Sequence, residues 1–143
     1  MSSTGVSTID RTVEHTLAWV DDVCHELGDP DRAHGWVALR AVLQHLRDVI
    51  DADEARQLAA QLPILVRGMF YDGFTPQRPI GPERNRDDFL GAVLLGIGSD
   101  RIDPERAARA VFAVLDRRVG AEAAQARMRL SESVRELWPL APA

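Results

Sequence analysis

The sequence predicts an all-α protein, a six-helix bundle in which two three-helix repeats are related by a pseudo-two-fold axis. Apolar residues recur at steps of three and four along six stretches, which is the spacing of one helix face. No stretch shows the sustained two-residue alternation of a half-buried strand. Glycine and proline separate the helical stretches. The 143 residues correspond to about one domain.

Two amphipathic helices open the chain. The first is predicted from Ile9 to Leu27 and ends at Gly28, and the second from Asp31 to Ile50. Their apolar positions share the same rhythm of three and four residues. The inward-facing residues are Val13, Leu17, Val20, Cys24 and Leu27 in the first helix and Trp36, Leu39, Leu43, Leu46 and Ile50 in the second.

The third helix contains a proline. It begins near Asp53 and carries a stripe of Leu58, Leu62, Leu65 and Met69. Pro63 lacks an N–H group and crowds the preceding turn, so the helix either kinks there or restarts as a second, short helix. We favour a sharp kink, with helix continuing to about residue 71.

A Gly- and Pro-rich loop, residues 72–86, leads to three more helices. Asp87 is expected to cap the fourth helix, which is so apolar that we expect it to be central and buried. Pro104 begins the fifth helix, and the sixth runs from about Ala121 to Leu137. The predicted single domain spans 9–138, with repeat 1 at about 9–71, the linker at 72–86, repeat 2 at about 87–138, and flexible termini at 1–8 and 139–143.

The repeat is visible when 40–50 is laid over 109–119. RAVLQHLRDVI and RAVFAVLDRRV share their first three residues and their apolar positions. After a slip of one residue, Leu62 meets Leu130, and the segment VRGMF at 66–70 meets VRELW at 134–138. The ordered run of matches predicts two copies of one unit that bury their apolar faces against each other.

Residues 39–76 also resemble a known family. The pattern of helix, acidic turn, helix, then LP, RG, an aromatic pair and G-x-x-P is similar to the core of the family called domain of unknown function 2267 (DUF2267), from bacteria and archaea. The resemblance implies a compact helical domain. It implies no activity, substrate or cofactor.

Composition excludes several classes of function. A net charge of −5 argues against a general nucleic-acid binder, and no apolar run has the roughly 20 residues of a membrane span. A single cysteine, Cys24, and the lack of a secretory signal predict a cytoplasmic location. All 17 basic residues are arginines. Residues 1–63 carry 5 arginines and 11 acids, whereas 101–143 carry 8 arginines and 6 acids, an asymmetry that either favours self-association or is simply a solvated surface.

No residue pattern predicts a catalytic, metal or cofactor site. Asp21 and His25 are four residues apart on one helix, a spacing that suits two metal ligands but also a routine surface hydrogen bond. Cys24 lies on an apolar stripe and is expected to be inert. His34 and His45 are separated by about 16 Å along a helix and cannot chelate one ion. Asp87 and its neighbour Asp88 point apart and are better explained as a cap.

Six residues are candidates for contact with a partner or ligand. Repeated arginines could bind an anion between the repeats, or they could fix helix ends. The cluster of large side chains could contact a partner or cover the core. The main hypothesis is therefore a small non-enzymatic interaction module that binds itself as a homodimer or binds another protein; the alternative is a helical bundle with a small-molecule or anion site between the repeats. The six residues are Arg67, Met69, Phe70, Tyr71, Phe74 and Arg135.

Overall fold

The computed structural model describes residues 4–75 and 85–139, and these residues form eight α-helices and no β-strand. The all-α prediction is confirmed. None of the helices in this part of the chain is long and apolar enough to cross a membrane. The helices are α1 (Ser7–Leu27), α2 (Arg32–Val49), α3 (Ala52–Ala59), α4 (Ile64–Tyr71), α5 (Arg86–Ile97), α6 (Pro104–Arg118), α7 (Gly120–Met128) and α8 (Glu132–Arg135).

Side-chain caps and glycines set most of the helix ends. Asp31, Asp51 and Asp103 each accept a backbone N–H in the first turn of α2, α3 and α6. Gly28 and Gly98 end α1 and α5 in the left-handed region, with φ of 69° and 76°. A residue with a Cβ adopts that region at a cost, which explains glycine at both ends.

The count of eight rather than six arises because each predicted third helix is broken. The favoured kink at Pro63 is wrong: α3 ends at Ala59, and Pro63 precedes the separate helix α4. In the intervening turn, the N–H of Leu62 donates to the carbonyl of Ala59, three residues back. Proline has no N–H and disfavours helical geometry in the residue before it, so a continuous helix is lost.

The predicted sixth helix is also broken, without a proline. α7 ends at Met128, and α8 begins after Ser131, the residue that the predicted repeat aligns with Pro63. Leu62 and Leu130, inside the two turns, are both buried. Proline is therefore not the sole cause of the break, and the buried leucine anchors the turn in both halves.

Helices α2 and α6 pack against each other. α1 and α5 each pack against both of them, and α3 packs against α7. Gly35 allows α1 and α2 to approach closely, since a Cβ there would lie 2.5 Å from the Cys24 Sγ atom. The largest fully buried side chains include Leu39, Leu43, Leu46, Phe70, Phe89, Phe112, Leu115 and Leu137.

Several finer expectations are corrected. Asn85, not Asp87, caps α5, because α5 begins two residues earlier than a cap at Asp87 would imply. The same helix is not wholly buried: Leu94 is exposed and Leu95 is 85% exposed. Val13, predicted to face inward on α1, is exposed, since the buried face of α1 instead passes through Thr16, Trp19, Val20 and Val23.

The expected flexible and loop segments fall partly outside the described residues. The predicted linker 72–86 is described at 72–75 and 85–86, and residue 86 already belongs to α5. The predicted flexible termini 1–8 and 139–143 are described at 4–8 and 139. Ser7 and Thr8 lie in the first turn of α1 rather than in a frayed terminus.

Candidate functional site

The aromatic segment at 69–74 packs mainly inward. Phe70 is fully buried, Met69 is nearly so, and Phe74 is half-buried. Tyr71 is the most exposed of the four predicted contact residues that lie in this segment, and its ring touches the rings of Phe70 and Phe74. Most of this cluster covers the core, which is the structural role weighed from the sequence.

Arg47, on α2, fixes this segment to the core. Its side chain is only 7% exposed, and Nη1 donates to the carbonyl oxygens of Phe70 and Asp72, each at 2.9 Å. The guanidinium also pairs with Asp48 and lies 5.2 Å from the centroid of the Phe74 ring. A cation at the C-terminus of α4 stabilises the negative end of its dipole. No sequence signal reveals this role, because an arginine at that spacing also suits a solvated helix face.

Arg67 and Arg135 each complete the end of the short helix that precedes them. Arg67 donates to three carbonyl oxygens within 59–62, at 2.9, 3.1 and 3.3 Å. Arg135 donates through Nη1 to the carbonyl of Leu130 at 3.0 Å. Carbonyls at a helix C-terminus lack partners within the helix, so both arginines satisfy groups that folding leaves open. An anion site formed by the two stays a prediction.

The uneven charge of the chain is paired within the molecule. Ion pairs join α6 to α1 and the end of α7 to α3, with N–O distances from 2.6 to 3.3 Å. The basic C-terminal region therefore faces the acidic N-terminal helices of the same chain. The asymmetry does not by itself provide a head-to-tail contact between molecules. The pairs are Arg118 with Asp22, Arg117 with Glu26, and Arg129 with Glu54.

The titratable groups singled out from the sequence have structural partners. Asp21 does not pair with His25 but accepts two hydrogen bonds from Arg32, at 2.9 and 3.0 Å, and these lower the pKa of Asp21. Burial is the main cause that raises the pKa of the Cys24 thiol, which keeps the thiol protonated. That thiol donates to the carbonyl of Asp31 at 3.4 Å.

The histidines do not gather into a ligand set. His34 Nδ1 lies 2.7 Å from Asp29, and His45 packs edge-on against Phe89. The pKa of Asp29 is lowered first by a hydrogen bond from the backbone N–H of Asp31 and then by His34. Within residues 4–75 and 85–139, no three His, Cys, Asp or Glu side chains converge as metal ligands would.

A groove lined mostly by apolar atoms lies between α1, α2 and α4, and we call it the apolar groove. Its volume is about 490 Å³. The N–H of Leu65 donates to the Thr12 Oγ1 atom at 3.3 Å, which ties the start of α4 to α1 beside the groove. Met69 forms part of the lining. The groove is also lined by Trp36, Arg40, Ile64, Leu65, Gly68 and Asp72.

Two large apolar side chains of this groove are open to solvent. Ile64 is 60% exposed and Leu65 is 47% exposed. Leu65 belongs to the predicted inward stripe, but the break before α4 rotates the helix so that Val66, Met69 and Phe70 face the core instead. A reading of Pro63 as the start of a new helix would have found this surface.

The described part of the chain has two further grooves, and both have more polar linings than the apolar groove. One lies where the turn at 28–30 meets residues 101–106, and the other is lined by His15, Trp19, Pro63 and Arg118. Arg118 is already paired with Asp22 and lies over the Trp19 ring. Neither groove assembles an acid, base and nucleophile within reach of one another.

The fold and its surfaces place the chain among small helical proteins, and residues 4–75 and 85–139 contain no recognisable reaction centre. The chain belongs to the DUF2267 family, an uncharacterized conserved protein family whose model matches residues 16–137. The resemblance inferred from residues 39–76 is thus confirmed over most of the chain. No curated protein is significantly similar to it.

Proposed function

We propose that this protein is a non-enzymatic interaction module built from two copies of one helical unit, and that the apolar groove of the first copy is its binding surface. The observation that carries this proposal is an internal comparison. Four groove residues of α2 and α4 are apolar or small, whereas the residues aligned with them in the second half are polar.

Helix packing supports the duplication of α1–α4 as α5–α8. α1 packs on α6 as α5 packs on α2, and α1 packs on α4 as α5 packs on α8. The contacts α2–α6 and α3–α7 are those that a two-fold axis would map onto themselves. Two differences are that α4 packs more extensively on α2 than α8 does on α6, and that α7 packs more extensively on α6 than α3 does on α2. A rotation of about 180° should superpose one half on the other. An experimental structure in which no such rotation superposed them would contradict the duplication.

Arginine hydrogen bonds agree with the same correspondence. Arg67 and Arg135 each donate to the carbonyl five residues earlier, at Leu62 and Leu130. Gly28 and Gly98 end the first helix of each unit in the same left-handed conformation. These equivalences support the alignment that pairs the groove residues with residues of the second half.

At four aligned positions, the second half has polar residues where the first half has apolar or small residues that line the groove. All four polar residues are exposed or half-buried. Since the second half folds with them, the helical unit does not need apolar side chains at these places. Ile64 and Leu65 are thus better explained by contact with a partner than by folding, whereas the half-buried Trp36 also packs against the core. The pairs are Trp36 with Glu105, Ile64 with Glu132, Leu65 with Ser133, and Gly68 with Glu136.

Binding at the groove would draw its driving force from burial of this surface. Removal of apolar area from water contributes about 25 cal/mol per Å², so burial of two or three large side chains is a substantial gain. Protein interfaces commonly centre on such desolvated apolar and aromatic anchors. The single buried cysteine suits a reducing compartment, which supports a cytoplasmic location.

The alternative, a ligand site between the repeats at Arg67 and Arg135, has less support. The observed hydrogen bonds of both guanidinium groups go to main-chain carbonyls, and neither residue lines the apolar groove or the two polar grooves. Among the described residues, no acid–base or nucleophile arrangement supports an enzymatic function.

The test transplants second-half residues into the first half. The double variant Ile64→Glu/Leu65→Ser takes its residues from 132 and 133, and Leu95→Ser removes an exposed leucine outside the groove as a matched control. Each protein is cross-linked in cells at natural abundance, and the cross-linked proteins, further copies of the chain included, are quantified by mass spectrometry. We expect the double variant to lose at least tenfold of a specific cross-linked protein that Leu95→Ser retains.

A cross-linking pattern that is the same for the wild type and the double variant would contradict the proposal. Equal loss with Leu95→Ser would also count against it, because the effect would then reflect general surface hydrophobicity. Circular dichroism of each variant confirms that helix content is unchanged before the patterns are compared.

A further inference from the structure

We propose that the occupant of the apolar groove is a second copy of this chain, packed about a two-fold axis so that α4 lies against α4. This inference rests on the proposed function and names its partner. A two-fold interface brings one patch against itself, so the patch must be complementary to itself in charge and in shape.

The charges on the groove meet that condition. Arg40 and Asp72, of opposite sign, both line it. A two-fold arrangement places Arg40 of each copy near Asp72 of the other, so that two ion pairs flank the apolar centre.

Neither charge is strongly engaged within its own chain. The hydrogen bond of the Arg40 guanidinium goes to the carbonyl of Gly96 at 3.5 Å, the outer limit for such a bond. The Asp72 carboxylate has no hydrogen bond or ion pair with the described residues, and only the main-chain groups of Asp72 are bonded. Both side chains therefore keep their capacity for a charge-assisted contact between copies.

The shape of α4 also suits close approach of a second helix. Gly68 lies on the exposed side of α4, and a Cβ built there meets no atom within 4 Å. Ile64 and Leu65 stand one turn away and supply the apolar contact. The aligned position in the second half carries Glu136, a long charged side chain that would keep another helix away. Gly68 thus leaves room for a helix on α4 that α8 does not leave.

Charge reversal tests the pairing by sedimentation equilibrium. Wild type is expected to be a dimer at micromolar concentration and to reach no higher assembly, since a two-fold contact closes on itself. Arg40→Asp and Asp72→Arg each place like charges at both contacts, and each should weaken dimerisation at least tenfold. An equimolar mixture of the two variants places opposite charges at both contacts and should restore a dimer containing one of each.

Controls separate this effect from folding and from total charge. Arg101→Asp reverses an exposed arginine outside the groove and should leave the dimer unchanged. Gly68→Glu should abolish the dimer while melting at or above the wild-type temperature measured on a monomeric sample, because glutamate favours a helix more than glycine does. A structural role for Gly68 would instead lower the melting temperature.

The outcomes are distinct. A wild-type chain that stays monomeric to high micromolar concentration overturns the proposal. If that monomer still cross-links a different protein through Ile64 and Leu65, the occupant is wrong while the interaction module stands. A wild-type dimer that survives Gly68→Glu, or variants whose mixture gives no dimer, overturns the proposed face of contact.

Discussion

The α4 end of the first half and the α8 end of the second half occupy corresponding places in the proposed duplication and present different surfaces. Both follow a broken helix and a buried leucine, and both contain an arginine that donates hydrogen bonds to carbonyls of the preceding turn. Only α4 exposes large apolar side chains, at Ile64 and Leu65. Glutamate and serine take those places on α8.

The difference separates what the fold needs from what it permits. Features present in both halves, such as the left-handed glycines at 28 and 98, belong to the architecture. Features present in one half, such as the exposed leucine at 65 and the buried Arg47, are additions to it. A duplicated chain therefore contains its own control for deciding which residues serve folding.

The largest expected effect concerns the shared leucines. Leu62→Ala and Leu130→Ala each remove a buried side chain from the turn that breaks the helix, and each should lower the free energy of unfolding by about 2–5 kcal/mol. Urea denaturation measures both. Similar losses of unfolding free energy for the two variants would support the correspondence of the halves. A variant that unfolds like the wild type would contradict it.

Arg47 should matter where its counterpart does not. Arg47→Ala leaves the carbonyls of Phe70 and Asp72 without their donor and should cost about 2–4 kcal/mol. The aligned residue in the second half, Asp116, is exposed, and Asp116→Ala should change stability by less than about 0.5 kcal/mol. Chemical denaturation of both variants gives the comparison, and equal losses would show that Arg47 has no special role.

The smallest expected effect is a pH-dependent contribution to stability that is present only in the first half. Arg32 lowers the pKa of Asp21 in the folded state, so the pair stabilises the fold above the unfolded pKa of about 3.9 and this contribution is lost as pH falls through the folded pKa. The aligned residue in the second half is Gly91, which cannot form such a pair.

Thermal melting between about pH 6 and pH 2 tests this dependence. Asp21→Asn should melt slightly below the wild type at the higher pH and alongside it at the lower. Asp100→Asn, which changes an exposed carboxylate elsewhere, provides the control. A difference at Asp21 that stays constant across the whole range would show that the charge is not responsible.

The sequence was sufficient for the parts of the fold that depend on local chemistry. The spacing of apolar residues identifies the helices. Asp31 and Asp51 supply side-chain acceptors at the starts of α2 and α3, and Gly28 and Gly98 permit the left-handed residue that ends α1 and α5. These signals act within one or two turns, so a single chain reveals them.

The candidate surface depended on geometry that local signals do not fix. Pro63 allows either a kink or a new helix, and this choice decides whether Leu65 faces the core or the solvent. Arg47 bonds to Phe70 and Arg118 bonds to Asp22, which are both far away in the sequence. Local sequence patterns therefore do not predict either contact. Tertiary packing, rather than propensity, places these side chains.

The most direct test of the account is the free energy of unfolding of Ile64→Glu/Leu65→Ser, measured by urea denaturation at a concentration too low for association. The second half folds with glutamate and serine at the aligned positions, so we expect stability within about 1 kcal/mol of the wild type. A loss of several kcal/mol would contradict the account, because the apolar side chains of α4 would then serve the fold rather than a partner.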